Sequence, residues 1–385
     1  MTPMKLHAAI LLTLSVVAIL PASGVPSKAM AADSAPPSVQ DLLRELAPLS
    51  ADDCGSSVSA LSPVDVRQAE DQLFNAVDTS VTDRLNGPTP AQASDAEFRV
   101  RSALLAVEHS SSEINGDWPD EDRLHFEILA LHPAILARLS YRGQARLVLF
   151  SAYDLNRKAS NYPGMKWQEV SLDDPGPDAS TIDMFPLHRG PRGRVRFLAR
   201  VMKAGCAGSF GEAYYGYEWS ADAGQLAKQI IKIEGAEGLD DAASKHVGKF
   251  STTGKTIQLP YCFFSAVDTW DDPTLCAADS FDLSGDNALF TGRIYNAPDL
   301  VVVNSAIQHA QARDELALRG YCASDAVARK LIREIPLFLG AEVLERSKTG
   351  PAREKIVLNE GSTYFNLIRR RGEWRLESFR IADGK

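Results

Sequence analysis

The sequence predicts an α+β protein, predominantly antiparallel sheet with helix pairs packed against it. Three observations predict it. Apolar residues recur at helical spacing in paired segments near both ends of the chain. Between and after those segments the apolar period changes to two. The connections are short and rich in Gly, Asn, Asp and Pro, as hairpins require.

Residues 1–31 read as a secretory signal peptide. Lys5 precedes the apolar run AAILLTLSVVAIL at 8–20, which suits a signal core and is shorter than the ~20 residues a membrane span needs. Small-residue cleavage sites follow at 22–24 and 29–31, with no cysteine nearby to carry a lipid and no paired arginines. No later run is long and apolar enough to span a membrane, so a periplasmic or secreted protein is expected. The 32–60 stretch, rich in Ala, Ser, Pro and Asp, reads as a flexible segment in which VQDLLREL can form a short helix.

An α+β module is expected over 61–184. Ser62-Pro63 supplies an N-cap and a first-turn proline. Val66, Ala69, Leu73, Val77 and Val81 then form an apolar stripe that ends at Asn86-Gly87-Pro88. Thr89-Pro90 starts a second helix, with Ala93, Ala96, Val100, Leu104 and Val107 inside and the pairs Asp95–Arg99 and Glu97–Arg101 outside. From Arg123 the alternation of Leu124, Phe126, Ile128 and Ala130 predicts a strand. A hairpin turning near Arg142-Gly143 and the strand MKWQEVSL follow.

A polar stretch near 173–183 suggests a boundary, and 185–298 reads as a β-rich module built on RVRFLARVMK, EAYYGYEW, QLAKQIIKI and TIQLPYCFFSAV. Over 299–385 the first order recurs. A helix stopped by Gly320 and a second capped by Ser324 precede a meander of four strands. Both ends therefore read helix–helix–strands, as two related modules would, although too few residues match to define a repeat.

Composition narrows the function classes. At 45% hydrophobic and 24% charged, the chain is an ordinary globular one rather than a disordered one. The net charge is −9, and it falls to −11 without residues 1–31, which hold two lysines and no acid. An acidic chain disfavours non-specific binding to nucleic acid or anionic membrane.

The stretch KAGCAGSFGEAYYGYEW at 203–219 sets Cys206 among Gly205, Gly208 and Gly211. That spacing is not the dinucleotide fingerprint, and strands rather than a helix lie on both sides. A strand–turn–strand with a half-cystine is the expected reading. On a strand, Tyr215, Tyr217 and Trp219 share one face. Exposed, they would form a platform on which sugar rings stack. Turned inward, they would be core, and aromatics dominate cores.

The segment 265–287 carries Asp268, Asp271, Asp272, Asp282 and Asp286. Oxygen-rich loops suit calcium, so these residues are the candidate cation ligands and Ca2+ the candidate cofactor. Paired carboxylates also suit glycoside hydrolysis, and turn-capping is the alternative for the same side chains. Cys262 and Cys276 flank this loop and are expected to form a disulfide, the pairing of Cys54, Cys206 and Cys322 being left open.

Histidines are scattered, without HExxH spacing, which argues against a zinc enzyme. GKFSTTGKT at 248–256 has one residue too many for a P-loop, KTG at 348–350 lacks an S-x-x-K partner, and no G-x-S-x-G is present. No catalytic residue is assigned. The expectation is a non-catalytic binding protein for an extracellular or cell-wall ligand, glycan included. The alternative is a carboxylate-dependent hydrolase of such glycans.

Overall fold

The computed structural model describes residues 38–46, 63–88, 91, 95–142, 144–154, 165–172, 181–204, 210–220, 226–237, 249–252, 254–263, 275–336, 343–358 and 363–381, except 115–122. The expected signal peptide, Cys54 and Cys206 lie outside them. Three sheets dominate, with six α-helices among the described residues. The mixed α+β class expected from periodicity is therefore present.

Helices α1 (Val39–Leu46), α2 (Pro63–Leu85) and α3 (Ala96–Ile114) come first. The expected stripes are buried: Leu73, Val77 and Val81 on α2, and Val100 and Leu104 on α3. The i,i+4 ion pairs Arg99–Asp95 and Arg101–Glu97 lie outside. Two details differ from expectation. The third helix starts at Ala96, not at Pro90, and α1 makes the pair a trio by burying Leu42, Leu43 and Leu46 in the same core.

Strands β1 (His125–Ala130), β2 (Ala134–Tyr141), β3 (Gln144–Asp154) and β4 (Met165–Leu172) form an antiparallel meander. Arg142 takes the left-handed conformation (φ 52°) in the β2–β3 turn. Its Nη1 donates to the Leu46 carbonyl, tying that turn to α1. The meander does not end a domain. β4 pairs in parallel with β8 (Leu226–Glu237), which continues through β7 (Phe210–Trp219) and β6 (Val195–Ala204) to β5 (Thr181–Pro186). The result is one eight-stranded sheet. The boundary expected at 184/185 falls inside β5, because pairing across the sheet outweighs the polar break in the sequence.

Alternation along these strands sorts the core into layers. Ile135, Ala137, Leu139, Val148 and Phe150 face the three helices. Leu136, Leu147 and Leu149 on the opposite face meet Phe197, Val201, Tyr215 and Tyr217 from the second half of the sheet. That half in turn covers a three-stranded sheet of β9 (Thr256–Phe263), β10 (Leu275–Asp282) and β11 (Leu289–Tyr295) through Leu198, Tyr214, Ile231, Leu259 and Tyr261. Cys262 and Cys276 are cross-strand partners on β9 and β10 and form the expected disulfide, Cα–Cα 3.9 Å.

The last segment packs α4 (Pro298–Gln311), α5 (Glu315–Arg319) and α6 (Asp325–Glu334) on a meander. Its strands are β12 (Val343–Gly350), β13 (Arg353–Leu358), β14 (Thr363–Arg370) and β15 (Glu373–Arg380). One long helix was expected before Gly320. The chain instead breaks after Gln311, where Arg313 adopts φ 56° and the Asp314 side chain caps α5. The Ser324 cap on α6 is as expected. Among the described residues no helix is long and apolar enough to cross a membrane.

Candidate functional site

The aromatic ladder is not a platform. Tyr215, Tyr217 and Trp219 are each at most 1% exposed and lie in the core between the two halves of the large sheet. β7 is a central strand with both faces covered, so its alternation separates two cores rather than core from solvent. Tyr214, on the other face, donates its hydroxyl to the Pro260 carbonyl of the β9 layer at 2.8 Å.

The described residues take in only part of the acidic segment. Asp268, Asp271 and Asp272 lie outside the described residues. Asp282 caps the turn after β10, accepting from the Ser284 amide at 2.8 Å and its hydroxyl at 3.0 Å, which holds its carboxyl below the usual range. Asp286 pairs with Arg194 at 3.0 Å. Beneath them Arg196, fully buried, donates to Glu218 and to the carbonyls of Leu283, Gly285 and Asp286. Arginines thus supply the positive charge that calcium would have brought to Asp286. Among the described residues no group of three or more His, Cys, Asp or Glu is arranged to hold a metal. His125 and Glu127 do not pair with each other: His125 meets Glu108 of α3, and Glu127 meets Arg138 of β2.

A different carboxylate stands out. On α2, Phe74, Val77, Asp78, Val81 and Leu85 fall on one helical stripe, so the backbone carries Asp78 into the core-facing sector. The side chain is 3% exposed. Both of its oxygens are buried and lack a hydrogen bond, and among the described residues no other carboxyl has two such buried oxygens. Its ion-pair partner is Arg146 of β3, whose Nη2 lies 3.5 Å away while Nη1 donates to Asn75 at 2.8 Å. Burial pushes the Asp78 carboxyl up to about 8, with Glu169 adding to the rise and Arg146 opposing it. At neutral pH it is a protonated acid, with a donor and acceptors to offer.

Asp78 is one of the residues lining a cleft of about 390 Å³ between α2 and β4, with Thr79, Thr82, Asp83, Lys166, Gln168 and Glu169, although its two oxygens themselves have almost no accessible surface. The volume lies in the range of roughly 300–1,000 Å³ that ligand sites occupy. Its walls are pinned. Asn86, in the turn that stops α2, donates to the Trp167 carbonyl and accepts from the Trp167 amide, each at 2.7 Å. The Trp167 indole donates to the Ala91 carbonyl at 2.9 Å. Arg146 Nη2 also lies 3.6 Å from Glu169 Oε1, so the Asp78 and Glu169 oxygens are within about 7 Å of each other.

The buried carboxylate of α4 shows the contrast. Asp299 accepts from Arg346 Nε at 3.1 Å and from Nη2 at 2.6 Å, a satisfied structural pair. Beside it, burial and the nearby Asp299 raise the Glu354 carboxyl.

Sequence reasoning missed Asp78. The signal available to it was a charged residue in the middle of an apolar helical stripe. Its place in the wall of a cleft depended on β4, some ninety residues further on. No protein-family model, no curated protein and no solved structure matches the chain.

Proposed function

We propose that this chain is an exported, non-catalytic binding protein for a polar extracellular or cell-wall ligand, glycan being the class that fits best, seated in the α2–β4 cleft. One observation carries the reading. Asp78 is buried with two oxygens that no protein group hydrogen-bonds, at the wall of an open cleft. An unsatisfied buried polar group costs about 1–3 kcal/mol. Such a group in a cleft, with a displaced titration, marks a site that an incoming partner completes. Thr79, Thr82, Gln168, Lys166 and the rim carboxylates supply the hydroxyl, amide and charged contacts that a sugar's hydroxyl groups take up. Export is supported by the N-terminal sequence and by the disulfide, which belongs to oxidising compartments.

A second reading has its own observation. Asp78, protonated, and Glu169 stand within about 7 Å, and glycoside hydrolases place acid and base or nucleophile roughly 5–9.5 Å apart. In that case bound glycan would be cleaved.

The test is calorimetric titration of soluble cell-wall glycan fragments into the wild type and into Thr82→Arg, whose new side chain fills the cleft from α2. Binding by the wild type, lost in a Thr82→Arg variant of unchanged melting temperature, is the expected result. Equal binding by both proteins, or none by either, overturns the site. New reducing ends after prolonged incubation would replace the binding reading by the hydrolase one.

A further inference from the structure

We propose that the turn end of the last meander docks on an anionic phospholipid surface through Lys348, Arg369, Arg370 and Arg371. None of these residues lines the α2–β4 cleft. The acidity of the chain is uneven. Residues 343–381 hold nine Lys and Arg against five Glu and no Asp, a net +4 in a chain of −9.

Strand pairing gathers the cations. β12 turns into β13 at Pro351-Ala352, and β14 turns into β15 at Arg371-Gly372. Arg353 is the register partner of Ile368, so both turns lie at one end of the sheet. The Arg369 amide donates to the Ala352 carbonyl at 2.8 Å and ties one turn to the other. Four strands, each about 4.8 Å from the next, make that end about 14 Å wide. Lys348, Arg353, Arg369, Arg370 and Arg371 are all exposed there. Arg371 and Gly372 take φ 52° and 88°, the two left-handed residues of a tight hairpin turn.

Carboxylates of the meander do not neutralise this charge. Glu377 takes Arg353 at 3.0 Å, and Glu373 takes Arg375. Lys348 stands opposite Glu354, whose carboxyl is turned inward beside Arg346. Arg370 and Arg371 form no ion pair among the described residues. Arg369 donates to the Gly372 carbonyl at 3.0 Å, and its guanidinium lies 6.0 Å from the Trp374 ring.

The arrangement selects a plane. A linear polyanion is held along a groove lined with cations. Here the cations crown the end of a sheet on two neighbouring turns, which a flat surface meets together. Trp374, half-buried beside Arg369, belongs to the residue type that gathers at headgroup level. The acidic remainder of the chain does not cancel the attraction. At physiological ionic strength charges more than about 8 Å apart are largely screened, so a bilayer at the turns meets the turns. Each Lys or Arg close to an anionic leaflet strengthens binding roughly fivefold.

Co-sedimentation with vesicles tests the surface, with phosphatidylcholine alone set beside phosphatidylcholine mixed with phosphatidylglycerol. The protein is expected on the mixed vesicles and not on the neutral ones, and high salt should release it. Arg370→Glu with Arg371→Glu should weaken binding on the order of a hundredfold, two attractions becoming two repulsions. Both positions are exposed, so the melting temperature should not change. Arg44→Glu, at an exposed site on α1, should leave binding as it is. Equal sedimentation with both kinds of vesicle, or none with the anionic kind, overturns the proposal. Full binding by the double variant overturns its placement on these turns. Capture by an inorganic polyphosphate chain without capture by vesicles would put a linear polyanion in place of the bilayer.

Discussion

Arg196 and Glu218 are cross-strand partners on β6 and β7, and their side chains meet at 2.6 Å inside the protein. Arg196 is 1% exposed and also holds three carbonyls of the 283–286 turn, so the pair fastens the three-stranded sheet to the large one. Arg194 also reaches Glu218, at 2.7 Å, so Glu218 keeps a cation when Arg196 is lost, whereas Arg196 without Glu218 is a buried charge with no carboxylate. Glu218→Leu is expected to destabilise the protein by about 3–5 kcal/mol, and Glu218→Leu with Arg196→Met by less. Urea unfolding of the single and double variants checks this; equal losses in both would overturn it. Gly190→Ala should act on the same pair, since its Cβ would stand 2.9 Å from Arg196 Nε and from Glu218 Oε2.

Trp219 closes the core between the two halves of the large sheet. Trp219→Ala leaves a cavity there, and the expected cost is about 3–5 kcal/mol. Thermal unfolding is the readout. A variant that melts with the wild type would return the ladder to the surface.

Asp78 makes stability depend on pH in a direction opposite to that of a paired carboxylate. Its carboxyl titrates near 3.9 in the unfolded chain and at about 8 in the folded one. Between those values the folded state holds more protons, so stability falls as pH rises from about 4 to about 8. The limiting slope is about 1.4 kcal/mol per pH unit. Asp78→Asn is expected to flatten that fall and to raise the melting temperature at pH 8, with little change at pH 4. Parallel wild-type and variant curves across this range would show that Asp78 is ionised in the folded protein.

The Cys262–Cys276 bridge closes a loop with a sequence separation of 14. A loop of that size stabilises by about 3 kcal/mol in the chain-entropy model. Cys262→Ser with Cys276→Ser should lose about that much, and non-reducing peptide mapping should recover the two cysteines joined. Cys322 is buried beside the last meander, and burial pushes its thiol up to about 11. It should resist iodoacetamide in the native protein and react once the protein is unfolded. Rapid native alkylation of Cys322 would contradict its burial.

Local periodicity determined much of this architecture. The stripes of α2 and α3, the β2–β3 turn at Arg142 and the Ser324 cap are written in neighbouring residues, because helix and strand impose repeats of 3.6 and 2. The Cys262–Cys276 pairing was legible for the same reason, since both cysteines flank one loop. The break at Arg313 was not. Arg313 takes the left-handed region with no glycine after it to mark a turn, and the helix restarts on the Asp314 cap.

Tertiary structure alone decided which faces became surface. Alternation assigns Tyr215, Tyr217 and Trp219 to one face of β7, but only the folding of the sheet on itself turns that face inward. Asp286 reads as a cation ligand until Arg194 and Arg196 arrive from β6 and its approach. Asp78 reads as a flaw in a helical stripe until β3 and β4 place Arg146 and Glu169 beside it and leave a cleft open. The reason is one of range. Propensity and period act over a few residues, whereas desolvation, charge pairing and cavities are set by groups that the chain brings together from afar.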